Sequence, residues 1–290
     1  MNQQADKSTR SVDAQATGLF SPIHIGKIEI KNRIIMPAMI LNYHLHGYEL
    51  EEEWYEFYAR AARGGTGLIC CGATYTEMAG KQDEHQLGAD SDEWLPALTR
   101  IADTIRENGA RSCLQLNHAG RYAWESVTGS HPVAPSPIYT HYTKLVPREL
   151  SIEEIEIVID NFANAAARAR KAGFDAVELL GATGYLISQF MSPLTNERRD
   201  KYGGDFDQRL TFVRELVHAI KAKTGNDYPL MFRISSADLM EGGLDADDER
   251  RVAVKLVEWG VDMLNVTAGW HDSPVHQIGP SVPHGAYVPL

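Results

Sequence analysis

The amino-acid sequence predicts an α/β fold, a (β/α)8 TIM barrel truncated after its sixth βα unit. Three observations point there. Six short runs of β-forming residues recur along the chain. Segments with helical periodicity separate them. No G-x-G-x-x-G follows any strand, as an open dinucleotide-binding sheet would want.

The six runs are 33–38 (RIIMPA), 67–72 (GLICCG), 112–117 (SCLQLN), 175–180 (DAVELL), 229–234 (PLMFRI) and 262–267 (DMLNVT). They are apolar with little alternation, as expected of parallel strands covered on both faces. Helices are predicted over 51–63, 93–107, 151–172, 207–223 and 246–258. The clearest is 151–172: Ser151 and Glu154 make a capping box, and Ile152, Ile155, Val158, Ile159 and Phe162 form one apolar stripe. Gly173 is placed to end that helix in a left-handed conformation. Ahead of the first unit, residues 24–26 and 27–31 read as a hairpin able to plug a barrel bottom.

The polar segment 1–17 lacks the apolar core of a signal peptide and reads as a disordered tail. Residues 18–290 read as one incomplete barrel domain, part of a longer polypeptide. The loops after the third and fourth strands are long, roughly 33 and 25 residues, and loops of that size in a compact domain tend to carry function.

The formal net charge of −11, without a basic stripe, argues against nucleic acid or anionic membrane surfaces as partners. No apolar run is long enough to span a bilayer. Cys70, Cys71 and Cys113 have no C-x-x-C spacing, so no metal site is expected of them. They read as small buried hydrophobes in a reducing cytoplasm.

Chemistry in a parallel barrel sits at the carboxyl ends of the strands. The polar residues there are Gln115, Asn117 and His118 after the third strand, Tyr185 after the fourth, Arg233 in the fifth and His271 after the sixth. A buried amide such as Gln115 needs partners, whether backbone or ligand. Arg233 in an apolar strand needs an anion: a barrel carboxylate such as Glu178, or something bound. Trp270 offers a flat wall and His271 an acid or base useful near neutral pH. Composition and periodicity lead to a barrel enzyme whose reaction is left open.

The segments 19–39 (LFSPIHIGKIEIKNRIIMPAM), 115–122 (QLNHAGRY), 132–137 (PVAPSP), 172–204 and 265–271 (NVTAGWH) resemble the Old Yellow Enzyme family of NADH:flavin oxidoreductases. Within it, they are most similar to the FMN-barrel domain of bacterial 2,4-dienoyl-CoA reductases. The resemblance covers the chain from Leu19 onward. It implies FMN at the barrel mouth, with backbone contacts from Ala38, Met39, Ile40 and Ala73. It implies a hydrogen bond from Gln115 to the pyrimidine edge, and positive charge from Arg233 near the N1–O2 side.

It further implies an FMN-dependent reduction of an activated C=C bond (a dienoyl or enoyl thioester, an enoate or an enone) with hydride from NAD(P)H. Tyr185 would be the proton donor and His271 its partner. An iron–sulfur cluster and FAD would belong only to further C-terminal domains. Where common family members carry a His-x-x-His or His-x-x-Asn grip, this chain has Leu180 and Thr183. After Gly269-Trp270-His271, Asp272 is followed by Ser273 and Pro274 rather than by Ala-Arg. The alternatives are a flavin-dependent amine dehydrogenase or demethylase of the same family and a degenerate, non-catalytic barrel.

Overall fold

The computed structural model describes residues 18–275 and 282–288. The expected tail, 1–17, lies outside the described residues. The chain opens with an antiparallel hairpin, β1 (Ile23–Ile25) and β2 (Ile28–Ile30). Ile25 and Ile30 pack against Leu68, Cys70, Cys113, Ala176 and Met231. These are residues from the amino-terminal parts of strands, so the hairpin does close the bottom of the sheet.

Six parallel strands follow: β3 (Ile35–Met36), β4 (Leu68–Tyr75), β5 (Arg111–Asn117), β6 (Ala176–Gly181), β7 (Leu230–Ser235) and β8 (Met263–Thr267). Their spatial order is the sequence order, with each strand pairing the next. A doubly wound sheet reverses its order at a switch point. A monotonic order is that of a barrel wound in one direction, here a curled sheet with β3 and β8 at its open edges. Val266, on β8, is 60% exposed.

Apart from the single turn Glu125–Thr128, the α-helices among the described residues are α1 (Glu52–Arg63), α2 (Leu95–Glu107), α3 (Ile152–Lys171), α4 (Leu186–Met191), α5 (Phe206–Arg209), α6 (Thr211–Thr224) and α7 (Ala246–Glu258). The capping box on α3 is formed in both directions, and Gly173 takes φ +91° just beyond it. The buried stripe of α3, from Ile155 through Phe162 to Ala169, joins the β-strand interior in one large core. Cys70, Cys71 and Cys113 are buried and unbridged.

Three boundaries differ from expectation. The first strand pairs only at Ile35–Met36, and Pro37 behind it has no amide to give to a ladder. The second runs past Gly72 to Tyr75 because a bulge between Cys71 and Thr74 shifts the register without ending the strand. The helix expected over 207–223 is two helices meeting at Leu210, the shorter started by its own Asp205–Gln208 capping box.

Candidate functional site

At the carboxyl ends of the strands lies a cavity of about 510 Å³. Ala38, Met39 and Ile40 come to it from the segment after β3, Ala73 from the bulge of β4, Gln115 from β5, Leu180 from β6 and Arg233 from β7. Tyr185 and Thr183 reach it from the turn into α4. All six residues expected at a cofactor therefore border one space, with one of the two expected acids. A larger groove, about 800 Å³, lies outside the barrel between residues 36–43 and α1, and gathers none of the strand-end polar groups.

The two polar strand residues are held differently. Gln115 is buried, and its amide nitrogen donates to Glu178 Oε1 at 2.7 Å; Asn265 Nδ2 donates to the other carboxylate oxygen at 3.0 Å. Burial raises the Glu178 pKa above the usual carboxylate range, against the pull of those two donors and of Arg233. Gln115 is thus oriented by a side chain rather than by backbone. Arg233 forms no hydrogen bond with Glu178, whose oxygens are taken, and its Nε is buried without a partner among the described residues. A buried N–H of this kind at a cavity wall ordinarily has an acceptor.

Tyr185 begins α4, and its hydroxyl stands 3.0 Å from His271 Nε2. His271 does not itself line the cavity but backs the residue that does. The loops after β6 and β8 are tied by a bridge between Thr183 and Trp270, with the His271 amide donating to the Thr183 carbonyl at 3.2 Å. Thr183 sits at φ +59°, a region that costs a β-branched residue energy, and is secured there by that bond and by Ser235 Oγ at 3.3 Å from its amide. Desolvation raises the Tyr185 pKa well above that of a free phenol. The hydroxyl therefore keeps its proton.

Behind His271 lies its chain neighbour, at the point where the sequence departs from the family pattern. Asp272 is almost fully buried and accepts from Arg121 Nη2 at 2.5 Å, Tyr122 Oη at 2.9 Å and Thr140 Oγ1 at 3.0 Å. Tyr122 and Tyr142, both from the loop after β5, set their rings 5.3 and 5.1 Å from that of His271. Tyr142, Gln82 and Asp83 also border the cavity and were not anticipated, since loop residues carry no periodicity to mark which way they face. The length of the loop holding Tyr142 was the available signal. His118 and Asn117 do not join the site: His118 Nε2 lies 2.8 Å from Glu77, a structural pairing.

A one-directional barrel that gathers an amide, a guanidinium and a phenol at one cavity by the carboxyl ends of its strands fits the class of ligand-binding barrel enzymes. Residues 18–285 match the model of the NADH:flavin oxidoreductase / NADH oxidase family, and the chain belongs to that family. It is 44% identical over 272 residues to a protein named metal reductase from Desulforamulus reducens, covering 94% of this chain and 40% of that one. It is 41% identical over 265 residues to an NADH oxidase of Thermoanaerobacter brockii, covering 91% and 41%. The chain thus spans about two fifths of the length of these curated relatives.

Among solved structures, a 2-naphthoyl-CoA reductase complex superimposes with a TM-score of 0.84 at 33% identity, over 89% of this chain and 41% of that one. An Old Yellow Enzyme homologue from Zymomonas mobilis gives 0.79 at 30%, over 88% and 77%. Family and neighbours imply FMN and NAD(P)H.

Proposed function

We propose that this chain holds FMN across the carboxyl ends of its strands and reduces an activated C=C bond, in a dienoyl or enoyl thioester, an enoate or an enone, using NAD(P)H. The observation that carries this reading is the shared cavity: Gln115, Arg233 and Tyr185 border one space with the chain segment 38–40 and Ala73. These residues fit the group. Arg233 has an unpartnered Nε to offer a ring oxygen, and Gln115 is held in place by Glu178. Its volume, about 510 Å³, lies within the range of small-molecule and cofactor sites. When bound, FMN supplies the two-electron step between the nicotinamide and the electron-poor carbon.

The chain's own part is protonation and placement. Tyr185 Oη carries the proton for the carbon that turns basic once hydride has arrived. His271 Nε2, at 3.0 Å, in its Nε2–H form donates to Tyr185 Oη, leaves the phenol proton free to face the substrate, and stabilises the phenolate charge as that proton leaves. Thr183 and Leu180 replace the imidazole grip of other family members, so the substrate carbonyl is held by something other than a histidine pair. The likeness to a naphthoyl-CoA reductase supports a thioester substrate. The buried, unbridged cysteines support a reducing, cytoplasmic setting.

An amine dehydrogenase reading draws on Tyr142 in the cavity wall and Tyr122, whose ring centroid lies 5.0 Å from it, since aromatic faces favour cationic amines. One experiment separates the readings. The purified chain is reconstituted with FMN, reduced anaerobically with NADH or NADPH, and mixed with a dienoyl-CoA, a simple enone or a tertiary amine. Reoxidation by an alkene is expected. Bleaching of oxidised flavin by the amine alone would favour the second reading. Arg233→Met should weaken FMN binding; equal affinity in both proteins would sink the assignment of the cavity.

A further inference from the structure

We infer that the barrel rim carries a site for a divalent transition metal of the zinc class, held by His44, His46 and Glu51 with His85 beside them. The spacing of Cys70, Cys71 and Cys113 led to no expected metal site. The short hairpin after β3 changes that. Leu45–His46 pairs antiparallel with Glu49–Leu50, in the register Leu45↔Leu50 and His46↔Glu49. Gly47, at φ +64°, occupies the first position of the two-residue turn.

Side chains alternate between faces along a strand, so this register sends Leu45 and Leu50 toward the core and His44, His46 and Glu51 to the outer face together. The Trp54 indole donates to the His44 carbonyl at 3.2 Å and fixes the start of the hairpin from α1. A donor atom from each of His44, His46 and Glu51 lies within 4.8 Å of the others. His46 Nε2 and Glu51 Oε1 are 3.4 Å apart. Donors at about 2.1 Å from a tetrahedral metal stand roughly 3.4 Å from one another, so this pair already has the required spacing. His44, exposed on the same face, supplies the third donor of the group.

His85 comes from a different segment, the loop between β4 and α2, and its ring centroid lies 4.7 Å from that of His44, while His44 and His46 are 4.6 Å apart. That loop is anchored by Gln86, whose side chain donates to the Ala73 carbonyl at 3.0 Å and accepts from the Gln82 amide at 2.7 Å. Two imidazoles and a carboxylate with converging donor atoms, and a third imidazole beside them from a separately anchored segment, make a mixed nitrogen–oxygen set, which suits zinc and its neighbours rather than magnesium or calcium. An ordinary surface ion pair needs one histidine and one acid, as His24 and Glu29 illustrate at 3.7 Å, a pair that belongs to no such group of three among the described residues.

The test titrates the tag-free chain with Zn²⁺ against a chromophoric chelator, and with Co²⁺ followed by visible absorption. The wild type should bind one ion tightly enough to compete with the chelator, and cobalt should develop the intense bands of a four-coordinate site. His44→Ala/His46→Ala should abolish both signals, and Glu51→Gln should weaken binding by at least about 10–100-fold, the loss seen when only an outer-shell partner is removed. His24→Ala should change nothing. Should the double variant lose its circular dichroism, the milder His46→Gln is read instead, with the same loss expected. Binding that persists in the folded double variant or in His46→Gln, or that falls equally in His24→Ala, would overturn the site, as would a wild type that does not compete.

Discussion

Tyr185 and His271 are 86 positions apart in the chain, yet Tyr185 Oη and His271 Nε2 stand 3.0 Å apart at the mouth of the barrel. Their elements are β6 with its following turn and the loop after β8, joined by the Thr183–Trp270 bridge. If the pair delivers a proton, Tyr185→Phe should leave the reduction of bound flavin by NAD(P)H intact. It should slow the alkene half-reaction by about 10²–10⁴-fold, the usual contribution of a positioned general acid. Stopped-flow absorbance reads both steps; equal loss in the two would show that the phenol serves only to shape the site.

Asp272 ties this loop down. It is buried with Arg121, and removing one partner of a buried pair strands the other. Asp272→Ala should destabilise the chain by about 3–5 kcal/mol in urea unfolding. Arg121→Met with Asp272→Ala should recover much of that loss, because no charge is then left unpaired. A double variant no better than the single one would mean that the hydrogen bonds from Tyr122 and Thr140, not the charge pair, hold the loop.

Gly184 lies between two aromatic groups at φ +87°. A methyl there would meet Tyr122 Oη at 2.5 Å and the Trp270 ring at 2.7 Å. Gly184→Ala combines a disfavoured backbone with a clash among buried rings, and should cost at least about 1–3 kcal/mol of stability. It should also lower alkene reduction more than flavin binding, since Tyr185 is the next residue. Unchanged thermal unfolding would contradict the packing described.

Asp238 gives a pH dependence of unusual sign. It is buried, accepting from the Leu244 amide and Ser192 Oγ, each at 2.8 Å, and burial raises its pKa from 3.8 to about 6. The folded state therefore holds a proton that the unfolded state has released between about pH 4 and pH 6. Stability is full below the unfolded pKa and is lost as pH rises through the folded one. A shift of about two units corresponds to roughly 3 kcal/mol. Asp238→Asn should flatten urea-unfolding stability across that window; an equal slope in the variant would assign the titration elsewhere.

Much of this molecule is legible in the sequence because its signals are local. The α3 capping box and apolar stripe need only neighbours three and four residues apart, and both are present. Apolar runs without alternation required strands covered on both faces, and consecutive βα units required parallel pairing. Gln115 and Arg233 stood out because a polar group in an apolar strand must find a partner. That requirement singled them out without saying which partner each would find; the structure sets both beside one cavity.

What the tertiary structure decided depends on contacts between distant segments. Whether Gln115 would turn to backbone, carboxylate or ligand rested on where Glu178 and Asn265 stand, 63 and 150 positions further along the chain. The burial of Asp272, the wall built by Tyr142 and the convergence of His44 with His85 are likewise set by how loops close over the barrel. Side chains on loops obey no repeating period, so nothing in the local sequence fixes which way they face; only packing against the rest of the chain does.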